Sequence, residues 1–182
     1  ALVQATAHFA ELGFPLMAAV SRKSFIGAMS AESIPAMRDR ASALCAAFMV
    51  DQGARIVRVH DVATTREMLR DSHRVVIGLG SNMGNSCEHI DDALASRRLD
   101  PDIWVGSVSE YVTSVPAYLE AQAPFVNAVA VIQTTLEPPE LLRVLQGLES
   151  EHGRIRGIEN GPRPLDLDII DYEGVVRSDG EL

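Results

Sequence analysis

Residues 161–170 read Gly161-Pro162-Arg163-Pro164-Leu165-Asp166-Leu167-Asp168-Ile169-Ile170. From Leu165 onward apolar and acidic residues alternate, the period of a strand with one covered face. Leu165, Leu167 and Ile169 point into a core. Asp166 and Asp168 project together on the other side, with Cα atoms roughly 6.6–7 Å apart. Two carboxylates on a rigid strand can clamp a hard divalent cation, and magnesium favours carboxylate oxygens combined with substrate phosphates. The competing reading is an edge strand with a solvated acidic face. Arg154, Arg156 and Arg163 flank the acidic strand on a loop bordered by Gly and Pro. They are either surface ion-pair partners or the guanidinium groups that polyphosphate transfer needs opposite a metal.

Working outward, Val75–Leu79 is a strand, 80–85 a polar turn and Glu88–Arg97 a helix. Trp104–Thr113 and Val126–Thr135 read as strands. Pro138-Pro139 opens a helix that runs to His152, where Gly153 stops it. With the acidic strand the order is β-α-β-β-α-β, the ferredoxin-like pattern. Phe125 and Asn127 share a strand face. They suit a flat heterocycle, or else the ring is ordinary core packing. Gly78-x-Gly80 follows a strand, but the spacing on to Gly84 does not fit a dinucleotide fingerprint.

Upstream the style differs. A helical segment runs to Leu12, Leu16–Val20 is an apolar strand, and Ser33-Ile34-Pro35 opens a helix to Gln52. Arg55–Val59 is a second strand and Thr64–Asp71 a further helix. Such alternation implies parallel strands with crossover helices. Polar groups follow both strands: Ser21-Arg22-Lys23-Ser24 and Arg58-Val59-His60-Asp61. Enzymes of this class keep their chemistry at that end. The fold class expected is therefore α/β plus α+β, with a boundary that separates 1–73 from 74–182.

The 182 residues carry a net charge of −9 and only 5% aromatics, so the core is aliphatic. An acidic chain argues against a generic nucleic-acid or anionic-membrane surface. Of 16 cations only Lys23 is a lysine. Cys45 and Cys87 form no metal or disulfide pattern. No apolar run reaches membrane-spanning length, and the cytoplasm is the compartment expected. Ala1 lies inside a helical segment and Leu182 just after a strand and turn, so a fragment of a longer protein is expected.

Four ordered motifs, Gly78-Leu79-Gly80-Ser81-Asn82-Met83-Gly84, Phe125-Val126-Asn127-Ala128-Val129, Gly153-Arg154-x-Arg156 and 161–168, resemble 6-hydroxymethyl-7,8-dihydropterin pyrophosphokinase of folate biosynthesis. The resemblance implies transfer of diphosphate from ATP to the pterin hydroxymethyl group, leaving AMP. It implies that Asp166 and Asp168 hold Mg2+, and that Arg154 and Arg163 steady the phosphates with Arg156 nearby. Asn127 and Phe125 would grip the pterin, helped by Gly80, Thr113 and Pro116, with Glu149 near the nucleotide. Phe125 stands where some members carry Tyr, and Asn160 where some carry Trp. The family continues past Leu182 with a His, an Arg and an aromatic residue.

Residues 1–71 resemble the last quarter of dihydropteroate synthase, a TIM-barrel family that condenses p-aminobenzoate with the pterin diphosphate. This implies a partial TIM barrel, its last two βα units. Lys23 would contact the pterin, Ser21 would lie near p-aminobenzoate, and Arg58 and His60 would bind the departing diphosphate. A homodimer through this part is a further expectation. The rival reading is a catalytically dead ferredoxin-like binding or interaction fragment.

Overall fold

The computed structural model describes residues 2–98, 100–119, 121–154, 161–173 and 175. The chain divides into two units. One comprises residues 1–74, 96–107 and 132–136, and the other 75–95, 108–131 and 137–182.

Residues 1–74 contain α1 (Thr6–Ala10), β1 (Met17–Ala18), α2 (Ser24–Ser30), a 3-10 turn (Pro35–Arg38), α3 (Asp39–Asp51), β2 (Ile56–Val57) and α4 (Val62–Asp71). β1 and β2 pair in parallel, Met17 with Ile56 and Ala18 with Val57, as the alternation implies. The strands are shorter than the apolar runs. Arg55 and Arg58 nevertheless extend the ladder, donating to the carbonyls of Leu16 and Ala18 at 2.9 Å each. Ser42 to Met49 are consecutively buried. A helix without a polar face must be covered on more than one side, and α3 packs against both α4 and β1. Asp61 caps α4, its carboxylate accepting from the Thr64 N–H at 3.0 Å. α2 was not expected, since its sequence SFIGAMS is poor in strong helix formers; buried Ile26 and Gly27 supply tertiary support instead.

The remaining elements are β3 (His73–Ser81), α5 (Ser86–Arg98), β4 (Ile103–Val108), β5 (Val112–Ser114), β6 (Phe125–Thr134), α6 (Pro138–Glu151) and β7 (Asp166–Tyr172). The sheet order is β4-β6-β3-β7, with β5 pairing on β6. Counted without β5, that is the strand order of the ferredoxin-like pattern. β3 and β7 are antiparallel. Val75, Ile77 and Leu79 alternate into the core opposite Leu165 and Leu167, all at 4% exposure or less. Leu141, Leu145 and Leu148 form the buried stripe of α6, spaced to lie on one helix face. Its start carries a capping box between Glu137 and Glu140, and Gly153 ends it at φ +81°.

One expected strand is two. Residues 104–113 break at 109–111 because the Ser109 hydroxyl replaces a regular ladder partner. It accepts from Val129 N–H at 3.0 Å and donates to the Glu110 carbonyl at 2.9 Å. Tyr111 is held separately, its hydroxyl donating to Asp91 at 2.6 Å.

Candidate active site

The acidic strand lies next to two glycines. On the antiparallel ladder Gly80 stands opposite Asp166, and Gly78 opposite Asp168. A Cβ at Gly80 would come within 3.3 Å of Asn127 Oδ1 and 3.7 Å of Asp166 Cβ. Asn127 on β6 and Asp166 on β7 therefore flank a patch of β3 that presents no side chain. A side chain would fill that space; glycine leaves it for a ligand. Asp166 and Asp168 share this face while Leu167 between them is buried, as their spacing implies.

The arginines are already engaged. Arg154 Nη1 lies 2.5 Å from Asp166 Oδ1, and Arg163 Nη1 lies 2.7 Å from Asp166 Oδ2. Both carboxylate oxygens thus carry a guanidinium. Arg154 also reaches Glu149. Glu149 is 4% exposed and accepts the backbone N–H of Leu167 at 2.8 Å. It anchors the strand between the two aspartates. Burial pushes its carboxyl pKa up, although the Leu167 N–H and the Arg154 charge pull the other way. The Asp168 carboxyl is also raised, first by loss of hydration and then by the Asp166 charge, against Arg154 and Arg163.

Asn82, in the turn after β3, is buried. Its side-chain carbonyl accepts from Arg163 N–H at 2.8 Å, and its own N–H donates to the Arg163 carbonyl at 3.1 Å. Its amide group donates to Gln122 at 3.0 Å and to the Ala123 carbonyl at 3.1 Å. One buried side chain thus ties the arginine segment to the loop before β6. No local signal shows this, because Arg163 is 81 residues away.

Phe125 and Asn127 share a face, as expected, and the Arg163 guanidinium lies 5.7 Å from the centre of the Phe125 ring. Asn127 donates to Ser114 Oγ at 2.9 Å. Thr113 pairs with Val126, whereas Phe125 pairs with Ser114 and Asn127 with Val112. The Thr113 side chain therefore lies on the face opposite Asn127, and only its backbone can serve a ligand there. Pro116 is half-buried beyond the end of β5. Arg156 and Asn160 lie outside the described residues.

This set fits a hard divalent cation. Two carboxylates of one strand stand beside an open glycine surface, with two guanidinium groups against one of them. Among the described residues no group of three or more His, Cys, Asp or Glu converges on one point. The remaining ligands would have to come from water and phosphate, the usual habit of magnesium.

In the first unit, Ser21, Lys23, Arg58 and His60 line one cleft of about 400 Å3 with Ala19 and Val59. Ser21 Oγ lies 2.9 Å from His60 Nδ1 and accepts the His60 backbone N–H at 3.2 Å. Between Ser21 and Lys23, Arg22 adopts φ +58°, a conformation that costs a non-glycine residue energy. Asp39 holds it there with bonds of 2.8 and 2.7 Å from Nε and Nη2. The sequence did not point to Asp39 as the support of this turn.

Comparison with known proteins agrees with both parts. Residues 76–179 match the family described as 7,8-dihydro-6-hydroxymethylpterin-pyrophosphokinase, and residues 1–60 match one described as pterin binding enzyme. The folic acid synthesis protein fol1 of Pneumocystis carinii is 38% identical over 131 residues, 69% of this chain and 18% of that protein. The mitochondrial folate synthesis bifunctional protein of Arabidopsis thaliana is 42% identical over 110 residues, 60% of this chain and 20% of that protein. The 2-amino-4-hydroxy-6-hydroxymethyldihydropteridine pyrophosphokinase of Pseudomonas aeruginosa is 42% identical over 97 residues, 53% of this chain and 60% of that protein. The chain thus spans about a fifth of the two longer relatives and three fifths of the shorter one.

Proposed function

The chain belongs to the 7,8-dihydro-6-hydroxymethylpterin-pyrophosphokinase family, and from that premise we propose that residues 74–182 transfer diphosphate from ATP to 6-hydroxymethyl-7,8-dihydropterin. The hydroxymethyl oxygen attacks the β-phosphorus and loses its proton. The bond from that phosphorus to the α–β bridging oxygen breaks, and AMP leaves. The observation that carries this reading is the glycine gap flanked by Asn127 on one side and Asp166 on the other.

Asn127 and Phe125 orient the pterin on the sheet face. Arg154 and Arg163 take the phosphate charge that builds as the bond breaks. Glu149 holds Arg154 and fixes the strand that bears both aspartates. Asp166 and Asp168 hold Mg2+, which supplies charge neutralisation at the polyphosphate oxygens.

Residues 1–73 are the last two βα units of a dihydropteroate-synthase-like TIM barrel. Lys23 and Ser21 face the pterin and p-aminobenzoate, and Arg58 and His60 face the departing diphosphate. The product of one part is then the substrate of the other. A homodimer forms through this first part. Among the described residues no helix is long and apolar enough to cross a membrane. A cytoplasmic location is proposed, to be checked against the mitochondrial alternative that the Arabidopsis relative's name raises.

The test is formation of AMP from ATP, dependent on the pterin and on Mg2+. Wild-type chain is expected to form it weakly at most while binding the Mg2+-nucleotide, and a chain with Asp166→Ala is expected to do neither. Magnesium-independent binding without turnover would favour the rival, a non-catalytic ferredoxin-like module.

A further inference from the structure

We propose that Asp166 exchanges partners: Arg154 and Arg163 hold it when no cation is present, and both guanidinium groups turn to phosphate when a cation takes the carboxylate. The inference rests on the magnesium–nucleotide reading above and adds to it the order in which the charges must move. Both oxygens of Asp166 are occupied, one by each arginine. The three side chains are 18–22% exposed, so water screens these contacts only in part. Among the described residues Asp168 makes no ion pair, so the two cations concentrate on one of the two carboxylates.

A divalent ion that arrives alone must displace two guanidinium groups, leaving three cationic centres close together. An ion that arrives with a polyphosphate brings the anions those groups need. Cation and nucleotide therefore bind cooperatively, with the arginines as the coupling element; such coupling is reciprocal. Arg154 stays anchored at one end by Glu149. Arg163 is held through its backbone by Asn82, so its side chain can swing without releasing the loop.

The experiment titrates the full chain with Mn2+ alone, following free Mn2+ by electron paramagnetic resonance, and repeats it with a non-hydrolysable ATP analogue. Arg163→Gln keeps the Asn82 contacts, which are to the backbone. It is expected to bind Mn2+ alone about tenfold tighter than wild type, the worth of one charge-assisted hydrogen bond. The factor by which the analogue tightens Mn2+ binding should shrink by a similar amount. Arg163→Lys, which restores the charge, should return Mn2+ affinity toward wild type. Equal or weaker Mn2+ binding by Arg163→Gln, with wild type still binding Mn2+ and analogue together, would overturn the exchange alone. A wild type that binds no Mn2+ even with the analogue would overturn the magnesium–nucleotide reading as well.

Discussion

The chain carries two clusters of basic side chains that solve the same electrostatic problem differently. Lys23 and Arg58 line their cleft beside His60, with no ion-pair partner among the described residues. Arg154 and Arg163 are both tied to Asp166, and Arg154 to Glu149 too. Unpaired cations offer their charge directly to an anion and need no metal. Paired cations offer little until a second positive charge takes over their carboxylate. The difference teaches that a count of arginines does not tell how a phosphate site works; the placement of the counter-charges does.

The comparison can be broken most sharply at the acidic strand. Asp166→Ala or Asp168→Ala should lower pterin-dependent AMP formation by about a hundredfold or more, the order seen when a charge stabiliser is removed from such a site. The same variants should leave pyrophosphate binding at the Lys23–Arg58 cleft unchanged in calorimetry. Loss of pyrophosphate binding in them would erase the distinction between the clusters. Gly80→Val should fill the gap beside Asn127 Oδ1. Pterin affinity should then fall by about tenfold or more, comparable to misplacing a bound group, with circular dichroism unchanged.

Arg58→Ala should weaken pyrophosphate binding about tenfold, one charge-assisted contact. Sodium chloride should weaken the wild type in the same direction. Magnesium should not strengthen this binding, and a requirement for it would contradict the unpaired character of that cleft.

The smallest effect concerns stability. The raised pKa of Asp168 means that its protonated form suits the folded state better. The stability it contributes is full below the ordinary aspartate range and is lost as pH rises through the raised value. At neutral pH its charge therefore costs the metal-free fold something. Asp168→Asn should raise the melting temperature of the metal-free protein slightly and remove the further rise that Mg2+ with nucleotide gives wild type. An unchanged or lower melting temperature without metal would count against this electrostatic picture.

What was legible in the sequence were the features with short-range causes. The alternation from Leu165 onward gave the acidic strand and its face. The Pro138-Pro139 opening and the leucine spacing gave α6, and the apolar runs after Pro15 and Gly53 gave the parallel pair. Features whose causes lie far along the chain were not legible. The break at Ser109 depends on Val129, 20 residues on. The side on which Thr113 stands depends on its register with Val126. The role of Asn82 needs Arg163, and the pairing of the arginines onto Asp166 rather than Asp168 needs the loop's actual course. Spacing identified the charged residues near the site; folding decided which of them cancel.

The central claim, that the two aspartates jointly receive the cation on a nucleotide's polyphosphate, is tested most directly by isothermal titration of a non-hydrolysable ATP analogue into the full chain, with and without Mg2+. Binding that requires Mg2+ in wild type and vanishes in Asp166→Ala is the expected result. Binding of equal strength without Mg2+, or undiminished in Asp166→Ala, would contradict it.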